Sequence, residues 1–273
     1  PGHGAGSACG KGLGGVPVSS LGYERKTNIG LKQDSLEAFT QYVLNGQPEP
    51  PAYFKEMKRV NRIGPDPVSC LSEPPQSDPR LLGNALAVAT LVDIRQSLVA
   101  EAGFVKGAMI IPESKGFTTW AGSLISYRRP IYLVADSVSQ VRRAVADLRL
   151  IGLDEVVGWF LASDLIGSSL AKVATVSADR ALDEAHQGRW QLLDVRGQAE
   201  FDQGHHSLAV HIPLGSLPVR IQELDPTKPI AVHCAAGSRS PMAASILVQN
   251  GFAEVYDLVG GYAEIQAMAV TCM

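Results

Sequence analysis

An α/β fold built twice is predicted by three observations. Short apolar runs alternate with helical patterns from about residue 81 onward. The same motifs return at a spacing of about a hundred residues, the mark of duplicated domains rather than of a solenoid. One cysteine ends a strand-like run directly before a helix start. Leu91-Val92-Asp93-Ile94-Arg95 is answered by Leu192-Leu193-Asp194-Val195-Arg196, and Pro130-Ile131-Tyr132-Leu133-Val134 by Pro229-Ile230-Ala231-Val232-His233. Ile151-Gly152-Leu153-Asp154-Glu155-Val156 is answered by Asn250-Gly251-Phe252-Ala253-Glu254-Val255. Both copies should share a central, mostly parallel sheet flanked by helices, with ligand loops at the carboxyl ends of the strands.

In chain order, residues 1–63 hold a glycine-rich opening, a helical pattern over 35–45 with Leu36, Phe39, Tyr42 and Val43 at helical spacing, and a second over 52–60. Residues 64–80 carry Pro65, Pro67, Pro74, Pro75 and Pro79 among Ser and Asp, a composition that resists helix and central strand and reads as a linker. The first copy is placed at 81–160 and the second at 173–273. A chain of 273 residues has room for more than one core, and its formal net charge of -3 offers no basic field to nucleic acid or an anionic membrane surface. Apolar stretches such as 85–92 stop well short of bilayer length and no charged-then-apolar leader opens the chain, so a soluble, cytoplasmic protein is expected. Cys9, Cys70, Cys234 and Cys272 lie scattered without metal or disulfide spacing, in keeping with a reducing compartment. Residue 1 is Pro with a motif directly behind it, so the natural protein is expected to begin earlier.

In the second copy, residues 229–232 read as a buried strand and 241–250 as a helix, with Ser240 at the N-cap, Pro241 at the first helical position and Gly251 just past the end. Cys234 then sits in a strand-to-helix turn. Loop amides, the positive end of the helix dipole and Arg239 all favour a thiolate there, and an anionic ligand beside it. In the first copy the corresponding position is Ala135, followed by Asp136-Ser137-Val138 with no arginine closure, so that copy is expected to be catalytically silent. A carboxylate in that place would repel an anionic donor.

Loop length selects the anion. Four residues, Ala235, Ala236, Gly237 and Ser238, separate Cys234 from Arg239. Cysteine phosphatases need five there to cradle a tetrahedral phosphoryl group, and the shorter ring suits one sulfane sulfur. Cys-x-x-Gly-x-Arg-Ser after a strand resembles the active loop of the rhodanese sulfurtransferases. Leu192-Leu193-Asp194-Val195-Arg196, Glu200-Phe201, Gly204-His205, Ile212-Pro213-Leu214, Gly251-Phe252 and residues 255–262 follow the same family's order. The opening Pro1-Gly2-His3-Gly4-Ala5-Gly6-Ser7-Ala8-Cys9-Gly10-Lys11, with residues 22–25 and Asn28, is similar to the end of the metallo-β-lactamase-like domain in persulfide dioxygenase-rhodanese fusions. These resemblances imply two rhodanese-like domains, the first degenerate, behind a C-terminal fragment (1–63) of a metallo-β-lactamase-like domain. Two departures stand out: Gly204-His205-His206-Ser207-Leu208-Ala209 replaces the usual Gly-His-Ile-Pro-Gly-Ala, and Ile265 stands where the family ends in tryptophan.

The expected activity is sulfur transfer through a Cys234 persulfide, with Cys234 as nucleophile and Arg239 binding anionic charge. Ala235, Ala236, Gly237, Ser238 and Ser240 form the substrate-binding loop. The small side chains of 235–237 suggest an open mouth suited to a large donor. A buried structural thiol is the plainer alternative for Cys234. Asp194 and Arg196 are read as a supporting ion pair or cap, because the first copy keeps Asp93 and Arg95 without a cysteine to serve. His233 is read as a strand residue, and His205, His206 and His211 as turn residues rather than a metal cluster. Thiosulfate, glutathione persulfide and sulfite are the expected small-molecule partners, and a homo-oligomer stays open. No cofactor is expected for the sulfurtransferase part. The fusion resemblance implies mononuclear iron in the intact parent, of which His3 is a remnant and which alone would carry dioxygenase activity in sulfide detoxification. Two alternatives remain: a non-catalytic interaction module, and a cysteine phosphatase or arsenate reductase of the same fold.

Overall fold

The computed structural model describes residues 18–45, 51, 53–67, 72–96, 99–165 and 169–271. His3, Cys9, Cys70, Cys272 and the glycine-rich opening lie outside the described residues. Residues 1–49 and 50–273 form separate compact units. In the first, α1 (Leu21–Thr27) and α2 (Leu36–Leu44) start on Ser20 and Ser35, whose hydroxyls accept the Tyr23 and Ala38 amides.

The second unit begins with α3 (Tyr53–Ile63), whose Tyr53 and Met57 pack on the main core. It continues through α4 (Leu82–Val88), β1 (Thr90–Asp93), α5 (Val99–Ala102), β2 (Phe104–Val105), β3 (Met109–Ile110), α6 (Phe117–Leu124), β4 (Ile131–Ala135), α7 (Val138–Arg149) and β5 (Val156–Leu161). There follow β6 (Leu170–Ala171), β7 (Ala174–Val176), α8 (Ala178–His186), β8 (Gln191–Asp194), α9 (Gln198–Gln203), β9 (Ala209–His211), α10 (Leu217–Arg220), β10 (Ile230–His233), α11 (Ser240–Gln249), β11 (Val255–Leu258) and α12 (Tyr262–Thr271). Among the described residues no helix is long and apolar enough to cross a membrane.

Two parallel sheets result, in the orders β3-β1-β4-β5 and β7-β11-β10-β8-β9. The first sheet's four strands match β9, β8, β10 and β11 of the second in order and direction, and β7 extends the second. Every residue of β1 and β10 is buried, which is why these strands read as near-continuous apolar runs. Side chains alternate between faces in the second sheet. Ile230, Val232 and Leu193 join the main core, while Leu192, Ala231 and Leu258 pack with Ala181 and Leu182 of α8 and Ile265 of α12.

The Pro-rich segment read as a linker does more than connect. Ser77 donates its amide to the Trp159 carbonyl at 2.7 Å, and Trp159 donates to Pro75 at 3.1 Å, so residues 75–77 cover the free edge of β5. Proline is tolerated at such an edge because a covering segment has a side that needs no ladder bond.

The main core runs through both sheets, and α11 joins them. Ser240 through Leu247 are buried without interruption. The Ile110 amide, on the open edge of β3, donates to Ser245 Oγ at 2.9 Å, and Gln249 Nε2 donates to the Gly107 carbonyl at 2.9 Å. Helix α11 thus closes the edge that β3 leaves unpaired. At the C-terminal end of β10, His233 is fully buried, and neither ring nitrogen has a hydrogen-bond partner. Burial holds its pKa down to about 4, with the Asp194 carboxylate at 3.9 Å pulling weakly the other way.

Ser245→Ala removes only the hydroxyl and strands the Ile110 amide. Urea unfolding is expected to show a loss of about 1–3 kcal/mol, and an unchanged midpoint would remove this bond from the account. His233 stays neutral in the folded chain while the unfolded chain protonates near 6.5. Stability from this group therefore falls as pH drops from about 6.5 to 4, by on the order of 3 kcal/mol. His233→Leu should flatten that stretch relative to wild type without loss at pH 7, as read by denaturant unfolding across the range. A variant curve parallel to wild type would contradict this.

Candidate active site

Cys234 follows β10 directly, and Cys234 through Arg239 form the loop into α11. The chain turns back on itself at Gly237, whose φ of 85° favours glycine. The turn brings the Gly237 amide to 3.1 Å and the Arg239 amide to 3.3 Å from Cys234 Sγ. Helix α11 begins at Ser240 with Arg239 as its N-cap, one residue earlier than the sequence reading, which made Ser240 the cap. The reason lies in the hydroxyl: Ser240 is buried, and its Oγ faces Cys234 Sγ at 3.8 Å instead of capping the helix. Gly251, with φ of 90°, follows the C-cap Asn250 as the sequence suggests.

Burial pushes the Cys234 thiol up. The amides of Arg239, Ser240 and Ala236 and the Ser240 hydroxyl outweigh it, so the thiol ends below its ordinary value. The expected open mouth is not what the structure has. Cys234 is 0 % exposed, although Ala236 and Ser238 just above it are exposed and Ala235 and Gly237 half-buried. Small side chains let the loop fold tightly over the sulfur rather than hold it open. From below, the turn after β11 closes the site: the Tyr262 amide donates to the Cys234 carbonyl at 2.8 Å. A Cβ on Gly261 would lie 2.5 Å from that carbonyl oxygen and 2.7 Å from that of Ala235.

The Arg239 guanidinium is engaged by Glu200 of α9, Nη1 to Oε2 at 2.6 Å and Nη2 to Oε1 at 2.7 Å. Sequence reasoning placed Glu200 only within a family motif. A pairing across this much chain leaves no local pattern to read. Arg239 holds the Glu200 carboxyl down to about 2, and the Gly197 amide at 3.0 Å contributes as well. Asp194 and Arg196 are both buried, joined through Arg196 Nε and Nη2, and Nη2 also reaches the Gly204 carbonyl at 2.8 Å. The Arg196 guanidinium lies 3.7 Å from the Tyr262 ring centroid, so the pair braces the turn beneath the cysteine. Asp93 and Arg95 repeat the bidentate pairing in the first sheet.

A further carboxylate was, like Glu200, legible in the sequence only as part of a family motif. Asp257, the penultimate residue of β11, lies opposite Val232 of β10, and its Oδ1 is buried without a hydrogen-bond partner. Burial raises its pKa to about 6, the Ser240 hydroxyl lowering it and Glu101 adding to the rise. His205 and His211 stack on Phe201 at centroid distances of 3.7 Å and 4.0 Å. Among the described residues no three His, Cys, Asp or Glu side chains are grouped to hold a metal.

The first sheet offers no comparable loop. Only Asp136 and Ser137 separate β4 from α7. Ser137 accepts the Gln140 amide, and the Gln140 side chain accepts the Asp136 amide and donates to the Ile94 carbonyl.

A rhodanese-like domain model matches residues 177–268. The thiosulfate sulfurtransferase GlpE of Coxiella burnetii is 34% identical over 86 residues, 29% of this chain and 80% of that protein. The Bacillus subtilis protein YqhL is 43% identical over 72 residues, 26% of this chain, and the match spans 57% of the length of YqhL. A crystal structure of a metallo-beta-lactamase from Staphylococcus aureus aligns with a TM-score of 0.47 and 32% identity, over 58% of this chain and 43% of that one. By its match to the greater part of GlpE, the chain belongs to the rhodanese family.

Proposed function

We propose that this protein is a sulfurtransferase that carries sulfane sulfur on Cys234. The observation that carries this reading is the convergence of the Gly237 and Arg239 amides on Sγ within a loop of four intervening residues, a ring sized for one sulfur atom. In the first half-reaction the Cys234 thiolate bonds to the outer sulfur of thiosulfate or a low-molecular-weight persulfide. The donor S–S bond breaks and sulfite or a thiolate leaves with the bonding pair. The loop amides stabilise the charge that collects around the transferred sulfur. In the second half-reaction sulfite, cyanide or a thiol attacks that outer sulfur and Cys234 departs as thiolate. The relative named as a thiosulfate sulfurtransferase supports the donor class.

The first sheet, with its matching strand order and absent loop, is proposed to be a degenerate rhodanese-like domain, and the protein to act in the cytoplasm. From the metallo-β-lactamase-like resemblance of the N-terminal residues, the chain is further proposed to belong to a persulfide dioxygenase-rhodanese parent working in sulfide detoxification. The described residues do not themselves group the side chains that the iron of such a parent would need. A second reading, a non-catalytic interaction module, is favoured by one observation, the complete burial of Cys234.

Incubation with thiosulfate or glutathione persulfide should add one sulfur to the intact mass, and cyanide should then release thiocyanate. Cys234→Ser is expected to reduce turnover by at least ~100-fold, with a phosphate ester giving no turnover in either form. Equal sulfur uptake by the serine variant would refute the assignment. Failure of wild type to take up sulfur from any donor would favour the interaction module.

A further inference from the structure

The charge around Cys234 bears on which donor the site accepts, given the persulfide chemistry proposed above. Two basic side chains stand close to the loop, and each is held by a carboxylate. Arg239 is bound at both guanidinium arms by Glu200, in a fork-to-fork geometry that adds direction to Coulomb attraction. Arg239 is 17% exposed and Glu200 40%, so the pair is shielded on the arginine side. Glu200 is itself fixed, because Oε2 also accepts the Gly197 amide at the start of α9. Arg196 is bound by the buried Asp194. Asp257 adds a carboxyl behind Ser240, and Glu101 reaches the same region through Thr175, whose hydroxyl lies 3.4 Å from Oε1. His233 is buried and neutral. Among the described residues these side chains sum to no net positive charge: the Arg239 guanidinium still reaches Cys234, but Glu200 offsets its charge, and the loop amides supply the remaining positive potential at the sulfur.

The donors differ sharply in charge. When the Cys234 thiolate meets thiosulfate, three negative charges gather before the S–S bond breaks and sulfite dianion leaves. When it meets a protonated persulfide R–S–S–H, only one does: the new S–S bond forms, R–S⁻ leaves with the old bonding pair, and the proton stays on the transferred sulfur. A ring of dipoles beside a cation whose charge Glu200 offsets tolerates the second encounter far better than the first.

We propose that Glu200 sets donor charge at this site: by occupying both arms of Arg239 it selects a persulfide over the thiosulfate dianion. Glu200 is a positioning residue that acts through Arg239. Glu200→Gln keeps the shape and one acceptor for the arginine while removing the charge.

The test needs no sulfur donor. Alkylation of the full chain by iodoacetate and by iodoacetamide is followed on the Cys234 peptide by mass spectrometry. The anionic-to-neutral rate ratio is expected to rise about tenfold in Glu200→Gln. In wild type the ratio should stay flat as salt is raised, a readout that does not depend on the folding of any variant. A ratio unmoved by the substitution, a wild-type ratio that falls with salt as a free cation would make it, or a Cys234 peptide inert to both reagents would each overturn the proposal. In the donor assay, kcat/KM for thiosulfate should gain about tenfold over that for glutathione persulfide in the variant. If neither donor loads sulfur onto wild type, the sulfurtransferase reading fails while the alkylation ratio still decides the role of Glu200.

Discussion

Helix α11 is the element on which both sheets close. Its first turn presents Ser240 to the sulfur, its middle gives Ser245 to the edge amide of Ile110, and its last turn gives Gln249 to Gly107. A helix that is apolar around most of its circumference is stable only when buried on all sides, and here the two sheets supply those sides. Sliding it by one turn would open both cores and strand two hydrogen bonds. The cysteine loop, hung between β10 and this helix, therefore draws its rigidity partly from the β3-β1-β4-β5 sheet.

Much of this was legible in the sequence because it is local. The buried runs 90–93 and 230–233, the Gly251 stop and the spacing from Cys234 to Arg239 each follow from neighbouring residues. So did the difference between the copies, since Ala135-Asp136-Ser137 leaves no room for a loop. What the sequence hid is set by contacts between distant segments. Glu200 meets Arg239 only once α9 is folded beside the loop, and Asp257 meets Ser240 only through the pairing of β11 with β10. The mouth was misjudged for the same reason: small side chains at 235–237 say nothing about how closely Gly261 and Tyr262 press from beneath.

Burial and ionisation pull against each other at Cys234. Enclosure alone would make the thiol inert, yet the same closure points the loop amides inward and holds them without water in between. A looser loop would expose the sulfur but splay its donors. The structure resolves this by keeping the cover thin: Ala236 and Ser238 are exposed, and a Cβ on Gly237 would meet open space.

The two sheets separate what a scaffold supplies from what the chemistry needs. Strand order, parallel direction and the Asp-Arg pair at the strand end recur in both, with Arg95 and Arg196 each bidentate to its aspartate. None of these makes a nucleophilic site, because all are present where β4 runs almost directly into α7. There the amides that could have faced an anion are already satisfied, the Gln140 amide by the Ser137 hydroxyl and the Asp136 amide by the Gln140 side chain. A cysteine at 135 alone would lack the converging donors that lower a thiol pKa. The six residues from Cys234 to Arg239, with glycine at the one position of positive φ, are thus the chemical difference between the two halves, and the rest of the fold holds that loop in place.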